Sequence, residues 1–260
     1  MPVALITGAG RGVGAATARR LAGAGWNLVL VDLCAPLAGA AYAMASREEL
    51  DGVVAECGEG AIGVPGDVRR QEDLDAAVAR AREDFGGLDA ALAIAGAITG
   101  GTEGWRVTDE EWALALEVNL GGAFHLARAA VPALLERPQP RRGRFLAVAS
   151  AGATQGLPMM AAYSAAKHGV VGLVRSLAAE LGAHGITANA VAPGSTRTAA
   201  LEASAALYGL ENVEEFALHH RVPRLVEPEE IGAALAWLCD EGAGAITGAL
   251  IAVDAGMTSS

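Results

Sequence analysis

Short apolar runs of strand length alternate with amphipathic helical stretches along the whole chain. The predicted strands are Val3–Thr7, Leu28–Asp32, Ala61–Pro65, Leu88–Ala93, Gly143–Ser150, Ile186–Ala192 and Ala249–Val253. The predicted helices are Gly12–Ala24, Arg47–Glu56, Gln71–Phe85, Asp109–Leu135, Met159–Gly182 and Pro228–Cys239. Because the strands are apolar almost throughout, both faces of their sheet should be covered by helices. No linker rich in proline, glycine and serine divides the chain, so the sequence predicts one α/β domain over residues 1–260 with a doubly wound parallel sheet.

The composition limits the classes of function. Hydrophobic residues make up 52% of the chain and charged residues 19%, which fits a well-buried core. A net charge of −11 argues against nucleic-acid binding, which requires a basic face. The basic cluster Arg137–Arg144 (RPQPRRGR) contains two prolines and is interpreted as a solvated loop. The absence of an uncharged apolar run of about 18 residues predicts that no segment spans a membrane.

The cysteines and the N-terminus predict a cytoplasmic protein. Cys34, Cys57 and Cys239 are odd in number and lack CxxC spacing, which favours reduced thiols over a disulfide framework. The N-terminal sequence MPVALITGAG has neither a basic leader nor a small-residue cleavage site, so a secretory signal is not expected. No spacing of histidines, cysteines and carboxylates indicates a metal centre.

The first predicted strand ends in the glycine-rich stretch TGAGRGVG. A strand, a glycine loop and a helix in that order let the backbone approach a pyrophosphate, which then lies at the helix N-terminus. The pattern alone also fits a tight turn with close helix packing. Its position between the first strand and the first helix favours a dinucleotide site of the Rossmann type, formed by Gly8, Arg11, Gly12, Val13 and Gly14.

An acidic residue ends the next predicted strand. Asp32 lies 20 residues beyond Gly12, where a carboxylate hydrogen-bonds a ribose hydroxyl and repels a 2′-phosphate. This position favours NAD over NADP as the cofactor. Arg11 offers a partner to a phosphate and argues the other way, but the position of Asp32 is the more discriminating of the two.

Four polar residues downstream predict an active site. Tyr163 and Lys167 stand four residues apart in YSAAK, so they share a helix face, and an ammonium beside a phenol stabilises the phenolate. Such a tyrosine takes the proton of an alcohol while hydride leaves the carbon. Ser150 precedes Tyr163 by 13 residues and is expected to hydrogen-bond the substrate oxygen, and Asn119 to hold a water beside Lys167. Each residue alone also fits a helix surface or a turn; their order behind a cofactor loop favours catalysis.

The TGxxxGxG loop and the set Asn119, Ser150, Tyr163 and Lys167 resemble the short-chain dehydrogenase/reductase family over essentially the whole chain. The resemblance implies that this set is the catalytic tetrad. It implies further cofactor contacts at Asp67, Val68, Ala95, Gly96, Tyr163, Lys167, Pro193, Gly194 and Thr196. Family members usually carry Asn-Asn-Ala-Gly where this chain has Ala93-Ile94-Ala95-Gly96, so the central sheet must be braced by other side chains. The C-terminal stretch ITGALIAVDAGM resembles the last strand of the family's tetramers, which implies a homotetramer.

Residues 33–46 (LCAPLAGAAYAMAS), called the flap below, separate Asp32 from the second predicted helix. The flap is open to interpretation as a tolerated surface insertion, because lengthening a loop costs little entropy. Surface insertions are usually polar, however, and this one has no charged residue. We therefore hypothesise a lid that buries NAD and slows or prevents its release. The flap and the run YAMASREELDGVV resemble the mycofactocin-associated branch of the family, which implies non-exchanging NAD and a mycofactocin-type electron carrier.

Residues 195–223 are predicted to form a lid over the substrate. Apolar candidates for its pocket, which equally fit helix packing, are Met159, Met160, Leu201, Leu207, Tyr208, Leu210, Phe216 and Leu218, and the candidate polar residues are His219 and His220. The predicted protein is an oxidoreductase that converts a small apolar alcohol to a carbonyl. The alternatives are a conventional alcohol or hydroxysteroid-type dehydrogenase with freely exchanging NAD, and a non-catalytic dinucleotide sensor. Such sensors typically lose the Tyr or the Lys, and an enoyl reductase spaces these two further apart.

Overall fold

The strands of the sheet follow the predicted pattern closely. The computed structural model describes residues 1–259. Its strands are β1 (Val3–Thr7), β2 (Asn27–Asp32), β3 (Ala61–Pro65), β4 (Ala90–Ala93), β5 (Arg144–Val148), β6 (Thr187–Pro193) and β7 (Leu250–Val253). They pair in parallel in the order β3-β2-β1-β4-β5-β6-β7. The predicted α/β class with a Rossmann-type parallel sheet is confirmed.

Helices cover both faces of this sheet. The helices are α1 (Gly12–Gly23), α2 (Arg47–Cys57), α3 (Gln71–Phe85), α4 (Asp109–Leu116), α5 (Gly122–Glu136), α6 (Ala161–Leu181), α7 (Ala199–Tyr208) and α8 (Pro228–Cys239). One apolar cluster joins the sheet to α3, α5 and α6, and a second joins it to α1, α2 and α8. The five inner strands are therefore buried on both sides, which is why their sequences are apolar throughout rather than alternating, whereas the edge strands β3 and β7 are partly exposed.

The strand order reverses between β1 and β4. Ile6 of β1 pairs with Leu30 of β2 on one side and with Leu92 of β4 on the other. The connections that follow β1 and β4 therefore lead to opposite halves of the sheet, and the loops after these two strands diverge. In open α/β sheets ligands bind in the crevice at this point, outside the carboxyl ends of the strands.

Two helical features differ from the predictions. Helix α7 lies inside the predicted substrate lid, where no helix was predicted. The predicted helix Asp109–Leu135 is divided by a π-helical segment, Glu117–Gly121. The whole stretch Asp109–Glu136 is long and apolar enough by composition to cross a membrane, but 56% of its most apolar window is buried inside the fold, as in a core helix.

The interpretation of Arg137–Arg144 as a solvated loop is wrong for its two end residues. Arg144 is only 2% exposed and donates to the carbonyl oxygens of Leu238 (3.1 Å) and Asp240 (3.0 Å) at the end of α8. Arg137 forms an ion pair with Asp89 at 2.8 Å. The C-terminal carbonyls of a helix favour a cation, which explains a buried arginine at this position.

Candidate active site

The glycine loop leaves no room for side chains. A Cβ on Gly8, whose φ is +69°, would lie 2.7 Å from the Ala95 Cα. A Cβ on Gly14 would lie 2.0 Å from the Gly8 carbonyl oxygen. The backbone of the loop therefore lines a cavity of about 460 Å³ directly, as a pyrophosphate site at a helix N-terminus requires. The predicted cofactor residues that line this cavity are Gly8, Arg11, Gly12, Val13, Gly14, Asp32, Asp67, Val68, Ala95 and Gly96.

The Asp32 carboxylate holds the glycine loop and still has capacity to accept hydrogen bonds. Its oxygens accept from the Gly10 N–H and the Leu33 N–H, each at 2.8 Å. Burial raises the pKa of Asp32, and these hydrogen bonds and the charge of Arg11 oppose the rise. An ionised carboxylate offers about four acceptor sites, so at least one oxygen remains able to accept from a ribose hydroxyl.

Asp67 follows β3 at the other wall of the same cavity. Burial alone would raise its pKa, but hydrogen bonds from Arg69, the closest at 2.6 Å, hold the pKa of Asp67 below its usual value. The carboxylate is therefore favoured in its ionised form. A tight backbone cradle with the carboxylates of Asp32 and Asp67 in its lining fits a dinucleotide without a 2′-phosphate.

Thr7 supplies the sheet brace that the missing asparagines would give. Its hydroxyl oxygen accepts from the Ile94 N–H (3.1 Å) and the Ala95 N–H (3.2 Å), just beyond β4. Thr7 is itself 2% exposed. Together with the close approach of Gly8 to Ala95, these bonds hold the ends of β1 and β4 in place.

The four predicted catalytic residues all line a second cavity of about 730 Å³. They are Asn119, Ser150, Tyr163 and Lys167. Pro193, Gly194 and Thr196, predicted as cofactor contacts, line this second cavity and not the first. The Lys167 Nζ lies 5.7 Å from the centroid of the Tyr163 ring and donates to the Val148 carbonyl oxygen at 2.9 Å. The structure therefore brings the residues of the set together at the carboxyl end of β5 and the start of α6.

Burial controls the acid–base properties of Tyr163 and Lys167 in this structure. It raises the pKa of Tyr163 to about 12, against a hydrogen bond from Ser150 that lowers it. It also lowers the pKa of Lys167 to about 8. The predicted lowering of the Tyr163 pKa by Lys167 is not found: desolvation raises the pKa, and the hydrogen bond from Ser150 opposes that rise.

Asn119 explains the π-helical segment around it. Its side-chain Nδ2 donates to the Ala115 carbonyl oxygen (2.9 Å), which an α-helix would pair with the N–H of residue 119. The same amide donates to the Ala97 carbonyl oxygen (3.0 Å) and accepts from the Ala97 N–H (3.2 Å). Asn119 therefore ties this helical region to the loop after β4. Its predicted role as a water holder stays a prediction.

The segment after β6 is held from outside the cofactor site. A Cβ on Gly194 would lie 2.9 Å from the Asp254 Cα, so the two backbones are in close contact. The Ser195 N–H donates to the Nε2 of His220 at 3.2 Å, and the Nδ1 of His220 lies 2.6 Å from the Arg224 carbonyl oxygen. Buried His220 is thus a structural link rather than a pocket residue.

The substrate lid contributes some of the predicted residues to the second cavity. Those that line it are Met160, Leu201, Tyr208, Leu210, Phe216 and His219. The remaining candidates, Met159, Leu207 and Leu218, do not line it, and Leu218 is 83% exposed. The cavity also has walls that the sequence analysis missed, namely Gln155, Leu157 and Met257. Their positions depend on contacts between distant segments, so no local pattern indicated them.

The flap lies beside the glycine loop, as predicted. Leu33, Leu37, Met44 and Ala45 line the first cavity. Tyr42 lines both cavities, which the sequence analysis did not anticipate. Its only sequence signal is that it is the single aromatic residue of the flap.

Comparisons with known proteins agree with this site. A family model described as enoyl-(acyl carrier protein) reductase matches residues 8–258. The (−)-trans-carveol dehydrogenase of Rhodococcus erythropolis is 37% identical over 98% of this chain and 97% of its own length. An uncharacterized NAD-dependent oxidoreductase of Mycobacterium tuberculosis is 35% identical over 98% of this chain and 94% of its own length.

A solved structure extends the agreement to the whole fold. The crystal structure of carveol dehydrogenase from Mycobacterium avium, in complex with NAD, matches with a TM-score of 0.92 and 32% identity. The match covers 98% of this chain and 97% of that one. With the glycine loop, the Tyr163–Lys167 pair and relatives that match from end to end, the chain belongs to the short-chain dehydrogenase/reductase family of oxidoreductases.

Proposed function

We propose that this protein oxidises a small, neutral, apolar alcohol to a carbonyl compound, with NAD as the hydride acceptor. The observation that carries the proposal is that Ser150, Tyr163 and Lys167 line one cavity together with Val13 and Gly96, which also line the cofactor cavity. Support comes from relatives whose names include a carveol dehydrogenase and an NAD-dependent oxidoreductase, and from a solved relative that holds NAD.

The residues of the site divide the chemistry between them. Bound NAD supplies the acceptor for the hydride that leaves the alcohol carbon. Ser150 donates a hydrogen bond to the substrate oxygen and orients it, and the Tyr163 oxygen takes the proton of the alcohol. Lys167, held by the Val148 carbonyl, places a cation next to the tyrosine and favours its phenolate. These groups hold and move a proton at one oxygen atom, which is what the oxidation of an alcohol requires.

The lining of the second cavity restricts the substrate to neutral molecules. Among residues 1–259, Lys167 is the only lysine, arginine, aspartate or glutamate that lines it. An acidic substrate would find no arginine or second lysine to replace its hydration, and burying an unpaired charge is costly. Leu157, Leu210 and Phe216 instead offer an apolar wall. A compact alcohol with a hydrocarbon skeleton fits this lining.

We further propose that NAD stays bound between turnovers and is re-oxidised by a mycofactocin-type carrier. The flap supports this part, because its apolar residues Leu37 and Met44 line the first cavity. The three cysteines are free in the structure, in keeping with a cytoplasmic setting.

We also propose a homotetramer, for which the exposed Trp112, Phe124 and Trp237 offer apolar contact surface. Sedimentation of the purified protein tests the assembly state.

The decisive experiment begins with protein purified without added cofactor. Acid denaturation should release close to one NAD or NADH per chain after extensive dialysis. The intact protein should then oxidise an apolar cyclic alcohol with an artificial electron acceptor and without added NAD. An empty protein that reduces added NAD with the same alcohol would support the alternative, a conventional dehydrogenase whose cofactor exchanges freely. Failure to bind NAD or to oxidise any neutral alcohol would overturn the proposal itself.

A further inference from the structure

Tyr42 reaches further than a cover for the adenosine requires. It lines the cofactor cavity together with Leu37 and Met44 of the flap, but it also lines the substrate cavity, which those two residues do not reach. Burial raises the pKa of its phenol, and the nearby backbone N–H of Ile98, in the loop after β4, opposes that rise. The flap thus extends from the end of β2 across the cleft to the loop that follows β4.

Contacts on both sides hold Tyr42 in this position. The Arg11 guanidinium lies 5.8 Å from the centroid of the Tyr42 ring, within cation–π distance. The same guanidinium donates to the Ala43 carbonyl oxygen, so the glycine loop and the flap are joined next to the tyrosine. Ala45 is 5% exposed and packs closely on the glycine loop. A Cβ added to Gly10 would lie only 2.8 Å from the Cβ of Ala45.

The far side of the flap is anchored on helix α4. Gly39 adopts φ +82°, and a Cβ there would lie 3.0 Å from the Leu114 Cδ2. The flap is therefore attached both to the glycine loop and to α4, with Tyr42 between these attachments. Opening the cleft at this point requires the Tyr42 ring to leave Arg11 and Ile98.

We propose that Tyr42 is a positioning residue that closes the junction of the two cavities, where it retains the middle of the dinucleotide and forms a wall of the substrate site. The inference rests on the proposed function, since it takes NAD as the occupant of the cleft. This arrangement would couple the binding of NAD to the binding of the alcohol. The same position of the Tyr42 side chain favours closure of the flap over the cofactor and completes the wall of the substrate site. Coupling between two ligands is reciprocal in binding free energy, so each ligand should strengthen the binding of the other.

The test compares Tyr42→Ala with one control variant for each cavity. Tyr42→Ala should raise both the dissociation rate of NAD and the KM for the alcohol by about tenfold, because a buried aromatic ring is lost from both sites. Met44→Ala removes a residue that lines only the cofactor cavity and should raise the NAD dissociation rate alone. Leu210→Ala removes a residue that lines only the substrate cavity and should raise KM alone.

The coupling itself is measured without turnover. In the native protein, a saturating carbonyl product should slow the dissociation of NAD, measured by release of NAD from the loaded protein into a large excess of buffer. In Tyr42→Ala this effect should disappear, while Tyr42→Phe, which keeps the ring, should retain it. An effect of Tyr42→Ala on only one of the two ligands, or an unchanged product effect, would overturn the inference and leave the proposed function intact. Failure of the native protein to bind NAD would overturn both.

Discussion

The two halves of the cleft recognise their occupants by different physical means. The cofactor half is lined by a bare backbone loop and by the charged residues Arg11, Asp32 and Asp67. The catalytic half is larger, at about 730 Å³ against about 460 Å³, and is lined mainly by apolar side chains around Lys167. Directional groups therefore select the cofactor, whereas shape and the exclusion of charge select the substrate. This contrast predicts that variants in the two halves will affect different measurements.

Tyr163→Phe is expected to give the largest difference between an effect on catalysis and an effect on cofactor binding. This change removes the proton acceptor and should lower kcat by about a thousandfold, within the usual contribution of general acid–base catalysis. The bound NAD should remain, because the cofactor half is untouched. Turnover with an artificial electron acceptor tests the catalytic half, and the NAD content of the same preparation tests the cofactor half. Near-native turnover, or loss of the cofactor in a folded protein, would contradict the assignment.

The pH dependence of alcohol oxidation should differ from that of NAD binding, and this is the next largest expected difference between the two halves. The pKa of Tyr163 is raised to about 12, so the phenol is protonated near neutrality and the reactive phenolate becomes more abundant as the pH rises. Below the effective pKa each pH unit should raise kcat/KM for oxidation by up to about tenfold. The rise should level off where Lys167, whose pKa is about 8, loses the charge that favours the phenolate.

The cofactor half provides the internal control for that profile. The ionisable side chains that line it are carboxylates, arginines and Tyr42, residue types whose ordinary pKa values lie outside the range from about pH 7 to about pH 9. The dissociation constant of NAD should therefore stay constant over the range in which oxidation accelerates. A flat profile for oxidation, or NAD binding that follows the same curve as turnover, would remove the distinction.

The smallest of these effects is expected for Asp32→Ala. Loss of the carboxylate should weaken the binding of NAD, because a charged hydrogen bond is removed, and should strengthen the binding of NADP relative to NAD, because a repulsion is removed. Together these changes should lower the preference for NAD over NADP by about tenfold. Binding of the two dinucleotides to the stripped protein measures this preference. Arg11→Ala is the matched comparison: a change of preference in that variant alone would assign the selection to Arg11.

Much of the site was predictable because it depends on local spacing. A glycine loop between a strand and a helix, an acid at the end of β2 and a Tyr–Lys pair on one helix face each use residues close together in the chain. Hydrophobic patterning likewise predicted all seven strands of the described chain, with ends that differ by a few residues. The strand Gly143–Ser150, for example, ends at Val148 in the structure.

Other features depend on partners that are far away in the chain. Thr7 replaces the missing amides by accepting from residues 87 and 88 positions later, which its place in an apolar strand does not reveal. Arg144 was misread as solvated because its acceptors lie 94 and 96 residues beyond it. Helix α7 was not among the predicted helices, because residues 195–223 were assigned only a role as a substrate lid.

The sequence by itself determined the fold and the family and predicted the reacting residues, because periodicity and short spacings carry that information. The tertiary structure decided how the flap is used. An apolar segment after Asp32 predicts a cover of some kind, but only packing against the glycine loop and α4 places Tyr42 at the junction of two cavities. Desolvation likewise decided the pKa values of Tyr163 and Lys167, since burial is a property of the assembled fold and not of a four-residue spacing.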